Sequence, residues 1–271
     1  MPLAIALTTP SAIPLEVDAV TLQAVRDLKP DAVRGILIQR GNRQAPLGDF
    51  FDVSGSAADD TLVWQGDLSR VKWIGARHSG GRVLVEGNCG MHLGSEMTGG
   101  EIEVRGNVAD WAGAELHGGR IRIRGNAGHL VGSAYRGARR GMTGGEIIID
   151  GHVGNEIGHA MRRGLIAIAG AAGDFLGVSM IAGSILTFGE VGIRHGAGMK
   201  RGTIGLLGAR DPELLPTFRE ACECQPVFLN LVAARLESLG FEPAGMLRNR
   251  RVRRYCGDLL ELGKGEIFAA A

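Results

Sequence analysis

Aromatic side chains and net charge are both scarce in this 271-residue sequence. Phe, Trp and Tyr make up only 5% of it, and 30 Lys and Arg residues are almost balanced by 29 Asp and Glu residues. So few aromatics offer no stacking platform for single-stranded nucleic acid. A formal charge of +1 gives no general attraction to nucleic acid or to an anionic membrane. We therefore expect neither a nucleic-acid partner nor a membrane partner.

The N-terminal residues lack the features of a targeting or membrane-spanning segment. The apolar run Met1–Leu7 has no basic residue before it, and it is too short for a secretory signal or a transmembrane helix. We expect a cytoplasmic protein.

Common catalytic and ligand-binding motifs are missing as well. Cys222 and Cys224 form a Cys-x-Cys pair, whereas zinc and redox sites typically use Cys-x-x-Cys. Gly263-Lys264 is followed by glycine, where a phosphate-binding loop needs Ser or Thr. The seven histidines occupy different positions of the repeat described below, so they do not stack into one cluster of metal ligands. We predict no catalytic residue, no metal site and no cofactor bound by this chain.

Glycine is the residue in excess, with 44 copies, and it marks a repeat. The phrase Gly-Gly-x-Ile-x-Val-x-Gly-Asn, with conservative changes, begins at Gly80, Gly99 and Gly118, and looser copies follow. Its closing glycine recurs at positions 87, 106, 125, 151, 170, 189 and 208. Neighbouring closing glycines lie 19 residues apart, except for an interval of 26 between 125 and 151. A fixed period near 20 residues predicts a solenoid.

Within each repeat, apolar residues stand at fixed positions. β-Branched residues recur four and two residues before the closing glycine, which indicates strands. A further glycine stands seven residues after it, and an apolar residue stands ten after it, as Met97, Leu116, Tyr135 and Met161 do. We predict a mainly β protein whose coils of about 19 residues share one apolar interior.

The chain divides into three predicted segments. Residues 1–60 form a small N-terminal cap, residues 61–208 form the solenoid, and residues 209–271 form a helical C-terminal extension. The extension is predicted to contain helices over Pro212–Ala221 and Pro226–Leu239, because Pro suits a first helical position and Gly240 ends the second pattern.

The outward face of the solenoid changes character along the chain. In the early coils opposite charges alternate between neighbouring repeats, which favours one alignment of each strand on the next and disfavours mispairing. From Leu165 onward the face is apolar, so we predict that it is covered, either by the C-terminal segment or by another subunit. Arginines near the C-terminus suggest an interface with an acidic subunit or a solvated tail. The predicted interface residues are Leu165, Ala167, Leu186, Phe188, Leu207, Arg248, Arg251, Arg254 and Tyr255.

Two features allow a ligand or a purely structural role. The seven extra residues of the long repeat lie around Tyr135–Gly141 and include Arg136, Arg139 and Arg140, which form either a grip for a carboxylate-rich partner or a solvated basic loop. Asp110 and similar polar residues four positions after the closing glycine either bind a cation or carbohydrate or serve the backbone of the corner.

The repeat resembles the right-handed parallel β-helix at the C-terminal end of the glutamate synthase large subunit. With its flanks the whole chain resembles the C subunit of formylmethanofuran dehydrogenase. The flanks that carry this resemblance are Pro46-Leu47-Gly48-Asp49-Phe50-Phe51 before the repeat and Arg253-Arg254-Tyr255-x-Gly257-Asp258 with Gly263-Lys264-Gly265-Glu266 after it.

The resemblance implies a non-catalytic scaffold in a multisubunit enzyme. The bacterial formyltransferase/hydrolase complex is favoured over the molybdenum or tungsten dehydrogenase. Its partners would be hydrolase, molybdopterin-protein-like and formyltransferase subunits, which would handle the methanofuran analogue and the tetrahydromethanopterin-type carrier. Arg136, Arg139 and Arg140 are then candidates for holding a polyglutamate-bearing cofactor.

Two stand-alone enzyme classes remain as alternatives. A left-handed acyltransferase needs coils in multiples of six residues, and a β-helix polysaccharide enzyme is normally secreted and rich in aromatics along its groove. A period of 19 and an aromatic content of 5% disfavour both.

Overall fold

The computed structural model describes all residues from 1 to 271 and is dominated by strands. In chain order the elements are β1 (Leu3–Leu7), β2 (Leu15–Glu16), α1 (Leu22–Val25), α2 (Pro30–Arg34), β3 (Leu37–Arg40), β4 (Arg43–Pro46), a 3-10 turn (Leu47–Asp49), β5 (Phe51–Ser54), β6 (Thr61–Gln65), β7 (Val71–Lys72), β8 (Arg82–Glu86), β9 (Glu101–Val104), β10 (Arg120–Ile123), β11 (Glu146–Ile149), β12 (Leu165–Ile168), β13 (Ser184–Thr187), β14 (Arg201–Leu206), β15 (Arg219–Cys224), α3 (Phe228–Ser238), a 3-10 helix (Glu242–Leu247), β16 (Val252–Gly257) and β17 (Lys264–Ala270). No helix has the length and apolar composition to cross a membrane.

One 13-stranded sheet runs through the molecule. Its order is β15-β16-β17-β14-β13-β12-β11-β10-β9-β8-β6-β1-β5, and the strands from β6 to β14 are all parallel, each paired with the strand one repeat away. A second row of parallel bridges joins the same repeats from Leu68 through Cys89 and Val108 to Val191. Residues 61–208 are therefore a stack of coils joined on two sides, which we call the coil stack.

The repeat positions form the interior, as the sequence predicts. Ile102, Ile121 and Ile147 pair in register on β9, β10 and β11 and are at most 1% exposed. The corner glycines are required by the same packing. Gly113 has φ +61°, and a Cβ atom there would lie 2.6 Å from Cδ1 of Ile147, closer than any real contact. One core therefore continues from coil to coil.

The long repeat differs from its prediction in one position. Tyr135 is half-buried outside the core, and Met142, which is fully buried, takes the place expected for it. The main-chain ladder shows this directly, because Thr143 donates to the carbonyl of Leu116 and Arg162 donates to that of Met142. All seven extra residues precede Met142, so the loop comprises 135–141.

The C-terminal extension is less helical than predicted. The helix expected over Pro226–Leu239 is confirmed as α3, but the one expected over Pro212–Ala221 is wrong. Part of that segment belongs to β15, which pairs antiparallel with β16, while β17 pairs parallel with β14. The coil stack ends in an open strand edge, and its unpaired backbone groups favour added strands over a helix. This edge forms only in the folded structure, so the helix propensity of the segment could not predict it.

The extension covers the apolar late face of the coil stack. Ala167, Leu186, Phe188 and Leu207 are at most 9% exposed and pack in one cluster with residues of α3 and the segment after it. Leu165 is partly buried against the same cluster. The prediction of a covered face is confirmed, and the chain's own C-terminal segment provides the cover. Ala167, Leu186, Phe188 and Leu207 are therefore not available as surfaces for another subunit, because this chain already buries them, whereas the partly buried Leu165 stays a predicted interface position.

Candidate functional site

The polar residues at the coil corners form ladders to the backbone. Asp110 Oδ1 accepts from the amide of His129 at 2.8 Å, His129 Nδ1 accepts from that of Asn155 at 2.9 Å, and Asn155 Oδ1 accepts from that of Asp174 at 3.1 Å. A second ladder begins where Asn88 accepts from the amide of Asn107 at 3.0 Å. Of the two interpretations of this row, the backbone role accounts for these side chains.

The early charged face is a network rather than a set of separate pairs. Glu103 accepts hydrogen bonds from Arg82 at 2.7 Å and from Arg124 at 3.0 Å, although each of the three residues occupies a different position of its repeat. Burial by itself would raise the pKa of Glu103, but the hydrogen bonds from the two arginines outweigh it and the pKa is lowered. This face is therefore neutralised within the chain.

Arg122 joins this face to the C-terminal extension. It is only 6% exposed, and it forms a two-point ion pair with Asp150 at 2.5 and 3.2 Å. It also donates to the carbonyls of Leu239 and Gly240 at 3.5 and 3.2 Å, and its guanidinium lies over the ring of Phe241. Burial lowers its pKa, and Asp150 acts in the opposite direction. The end of α3 is thus fixed by a buried charge that the sequence did not reveal.

A row of aromatic rings lies along one corner of the early coils. Trp73 and His92 stack with centroids 4.2 Å apart, His92 and Trp111 lie 6.2 Å apart, and Trp111 and Tyr135 lie 5.0 Å apart. Trp73, His92 and Trp111 all have left-handed φ angles near +67°. We call these four residues the aromatic row. The sequence contains the pattern, because positions 73, 92 and 111 are 19 residues apart. It is recognised only when histidine is grouped with the aromatic residues.

Hydrogen bonds connect Tyr135 to the aromatic row. Its hydroxyl lies 3.0 Å from His92 Nδ1 and 2.8 Å from the hydroxyl of Ser95, to which it donates. Burial lowers the pKa of His92 below its ordinary value and raises that of Tyr135 to about 12. Tyr135 is the first residue of the inserted loop, so the loop starts from a rigid position.

The inserted loop borders an open cleft of about 600 Å³, which we call the basic cleft. Its lining consists of Glu115, His117, Ala138, Arg139, Arg140, Thr143, Arg162 and Arg163. Arg139 and Arg140 come from the loop, as the sequence suggested, whereas Arg136 is exposed on the loop and does not line the cleft. Arg162 and Arg163 come from the next coil, and the sequence analysis missed them because they lie 22 or more residues from Arg140 along the chain.

The C-terminal arginines do not form one basic patch. Arg248 pairs with Glu237 at 2.5 Å, Arg251 with Glu223 at 3.1 Å, and Arg254 with Glu266 at 2.9 Å. Tyr255 is half-buried beside them on β16. These four residues stay predicted interface positions, but each of the three arginines already has an acidic partner within the chain.

A solved structure matches the whole chain. The crystal structure of the formyltransferase/hydrolase complex FhcABCD from Methylorubrum extorquens in complex with methylofuran contains a chain that is 36% identical to this one. The match has a TM-score of 0.90 and covers 99% of both chains. This chain belongs to the family of formylmethanofuran dehydrogenase C subunits and their formyltransferase/hydrolase counterparts. The resemblance stated from the repeat and its flanks is thereby confirmed.

Sequence matches to curated members of this C-subunit family are local. The C subunit of the molybdenum-containing formylmethanofuran dehydrogenase 1 of Methanothermobacter marburgensis is 47% identical over 83 residues, which is 30% of this chain and 21% of that one. The C subunit of the Fhc formyltransferase/hydrolase complex of Methylorubrum extorquens is 48% identical over 58 residues, 21% of this chain and 22% of that one. The matched stretch thus spans only between about a fifth and a third of the length of the curated relatives. No protein-family model matches it.

Proposed function

We propose that this chain is the non-catalytic scaffold subunit of a formyltransferase/hydrolase complex in one-carbon metabolism. The observation that carries the proposal is the match to a chain of the FhcABCD crystal structure over 99% of both chains. In such a complex a formyl group passes from a tetrahydromethanopterin-type carrier to a methanofuran analogue and is released as formate. Hydrolase, molybdopterin-protein-like and formyltransferase subunits would bind these cofactors and carry out the chemistry.

The way the chain uses its polar side chains supports a scaffold. Asp110, His129 and Asn155 accept hydrogen bonds from the backbone of the next coil, so they are engaged in holding the stack together. The continuous sheet gives a long rigid body, which we propose to be a right-handed β-helix because parallel crossovers are right-handed in about 98% of known cases. A cytoplasmic location is part of the proposal, and the four free cysteines suit a reducing compartment.

A second candidate is the C subunit of a molybdenum or tungsten formylmethanofuran dehydrogenase. The local identity of 47% to its molybdenum-containing counterpart favours it. The formyltransferase/hydrolase complex is preferred because its structural match extends over both flanks of the coil stack. The sequence match to the dehydrogenase subunit, by contrast, covers 30% of the chain.

Purification of the chain from its own cells separates these candidates. With a small affinity tag on the chain, we expect a heteromeric assembly that transfers a formyl group and releases formate. Molybdenum or tungsten together with iron–sulfur clusters in that assembly would favour the dehydrogenase. A lone monomer or homotrimer with its own acyltransferase or polysaccharide activity would contradict the scaffold proposal.

A further inference from the structure

The basic cleft carries charge that the chain itself does not neutralise. Its lining has four arginines and one glutamate, so with His117 neutral its formal charge is 4 − 1 = +3. All four guanidinium groups are exposed, and none of them takes part in an ion pair. On the charged face of the same coil stack, by contrast, arginines such as Arg105 pair with a carboxylate one coil away.

The single acid of the lining is engaged elsewhere. Glu115 Oε1 accepts a hydrogen bond from the main-chain amide of Tyr135 at 3.1 Å, which holds the start of the inserted loop. It therefore serves the loop backbone rather than the guanidinium groups. Four like charges around one cleft repel each other, and a bound anion would remove that repulsion.

The arginines project from a backbone that is fixed at both ends of the loop. Tyr135 is anchored in the aromatic row, and Gly141 donates to the carbonyl of Ala160 at 3.0 Å. The carbonyl of Met142 then accepts hydrogen bonds from the main-chain amides of Arg162 and Arg163, at 2.8 and 3.3 Å. The loop and the next coil are thus joined directly, and an anion that binds here meets a largely preformed backbone.

The chemistry of the lining selects a chain with several carboxylates. Guanidinium groups bind carboxylates through two parallel hydrogen bonds, and here they approach from two segments around an open cleft of about 600 Å³. An extended acidic segment presents several carboxylates and can pair with arginines of both segments at once. The neighbouring rings stack on each other, so the faces between them are not available to nucleic-acid bases.

We propose that the basic cleft docks an acidic segment of another subunit of the assembly. The inference rests on the proposed scaffold function and adds to it a specific contact. Residues Arg139 and Arg140 of the inserted loop would grip the segment from one side, and Arg162 and Arg163 would grip it from the other.

The first test uses the full-length chain alone and a fluorescein-labelled hexaglutamate peptide in a fluorescence anisotropy titration. The cleft variants are Arg139→Ala with Arg140→Ala, and Arg162→Ala with Arg163→Ala. The matched control is Arg43→Ala with Arg219→Ala, which removes the same charge from two exposed positions outside the cleft. We expect each cleft variant to weaken binding at least tenfold and the control less than twofold, with affinity falling as NaCl rises. No binding by the natural sequence, or equal losses in all three variants, overturns the proposal.

The second test uses the assembly. The tagged chain carrying all four cleft substitutions is purified from its own cells beside the natural sequence, in a series of NaCl concentrations. We expect at least one partner subunit to be lost from the variant at a salt concentration that the natural complex withstands. A variant complex that stays intact overturns the proposal, and loss of only a small acidic molecule from it assigns the cleft to a soluble ligand instead. If the natural sequence itself brings down no partner, the scaffold function fails first and the docking proposal fails with it.

Discussion

Replacing Arg122 with Met tests how the C-terminal extension is held on the coil stack. Met keeps much of the aliphatic volume but removes the ion pair with Asp150 and the two donors to the carbonyls after α3. Removing one partner of a buried pair costs about 3–5 kcal/mol. Asp150 keeps 26% of its side chain exposed and retains Arg124 at 3.4 Å, so we expect a smaller loss, about 2–3 kcal/mol, in the free energy of unfolding.

Arg124→Met is the matched control, because it lies two residues from Arg122 and contacts the same carboxylate. Its side chain is 44% exposed, so we expect a loss below about 1 kcal/mol. The assay is guanidinium unfolding followed by circular dichroism, with hydrogen exchange of α3 as a local readout. Adding Asp150→Leu to Arg122→Met should restore part of the loss, since the carboxylate that has lost its buried partner is then gone. Equal losses for Arg122→Met and Arg124→Met would refute the argument from burial.

Other predictions concern the corners of the coil stack and the aromatic row. Gly113→Ala should destabilise the protein by at least about 1 kcal/mol, because its φ is +61° and a Cβ would meet Ile147, whereas Gly80→Ala meets no atom within 4 Å and should be nearly neutral in thermal unfolding. Because burial lowers the pKa of His92, the unfolded chain binds its proton more tightly, and stability should fall as pH drops below about 6.5. His92→Phe should reduce that slope between pH 7.5 and 5, and identical slopes would contradict the assignment. Absorbance at 295 nm should show the ionisation of Tyr135 shifted to about pH 12 in the native protein, and its appearance near pH 10 would contradict the burial of that hydroxyl.

The period of 19 residues determined the coil stack without any tertiary information. Each repeat carries its own β-branched pair and corner glycine, and because neighbouring repeats are alike, the register of one coil on the next follows from the sequence spacing alone. The same logic located the inserted loop and the apolar late face. It would also have located the aromatic row, whose three members Trp73, His92 and Trp111 keep the period although their side chains differ.

What the period does not describe was decided by the tertiary structure. The C-terminal extension has no repeat, so its strands form only because the open edge of β14 accepts β17 and then β16 and β15. Met142 displaces Tyr135 from the core because a seven-residue insertion has two ends at which to rejoin the stack, and packing selects one of them. The roles of Arg122 and of the arginines of the basic cleft depend on residues far away in the chain. These residues come together only once the coils are stacked.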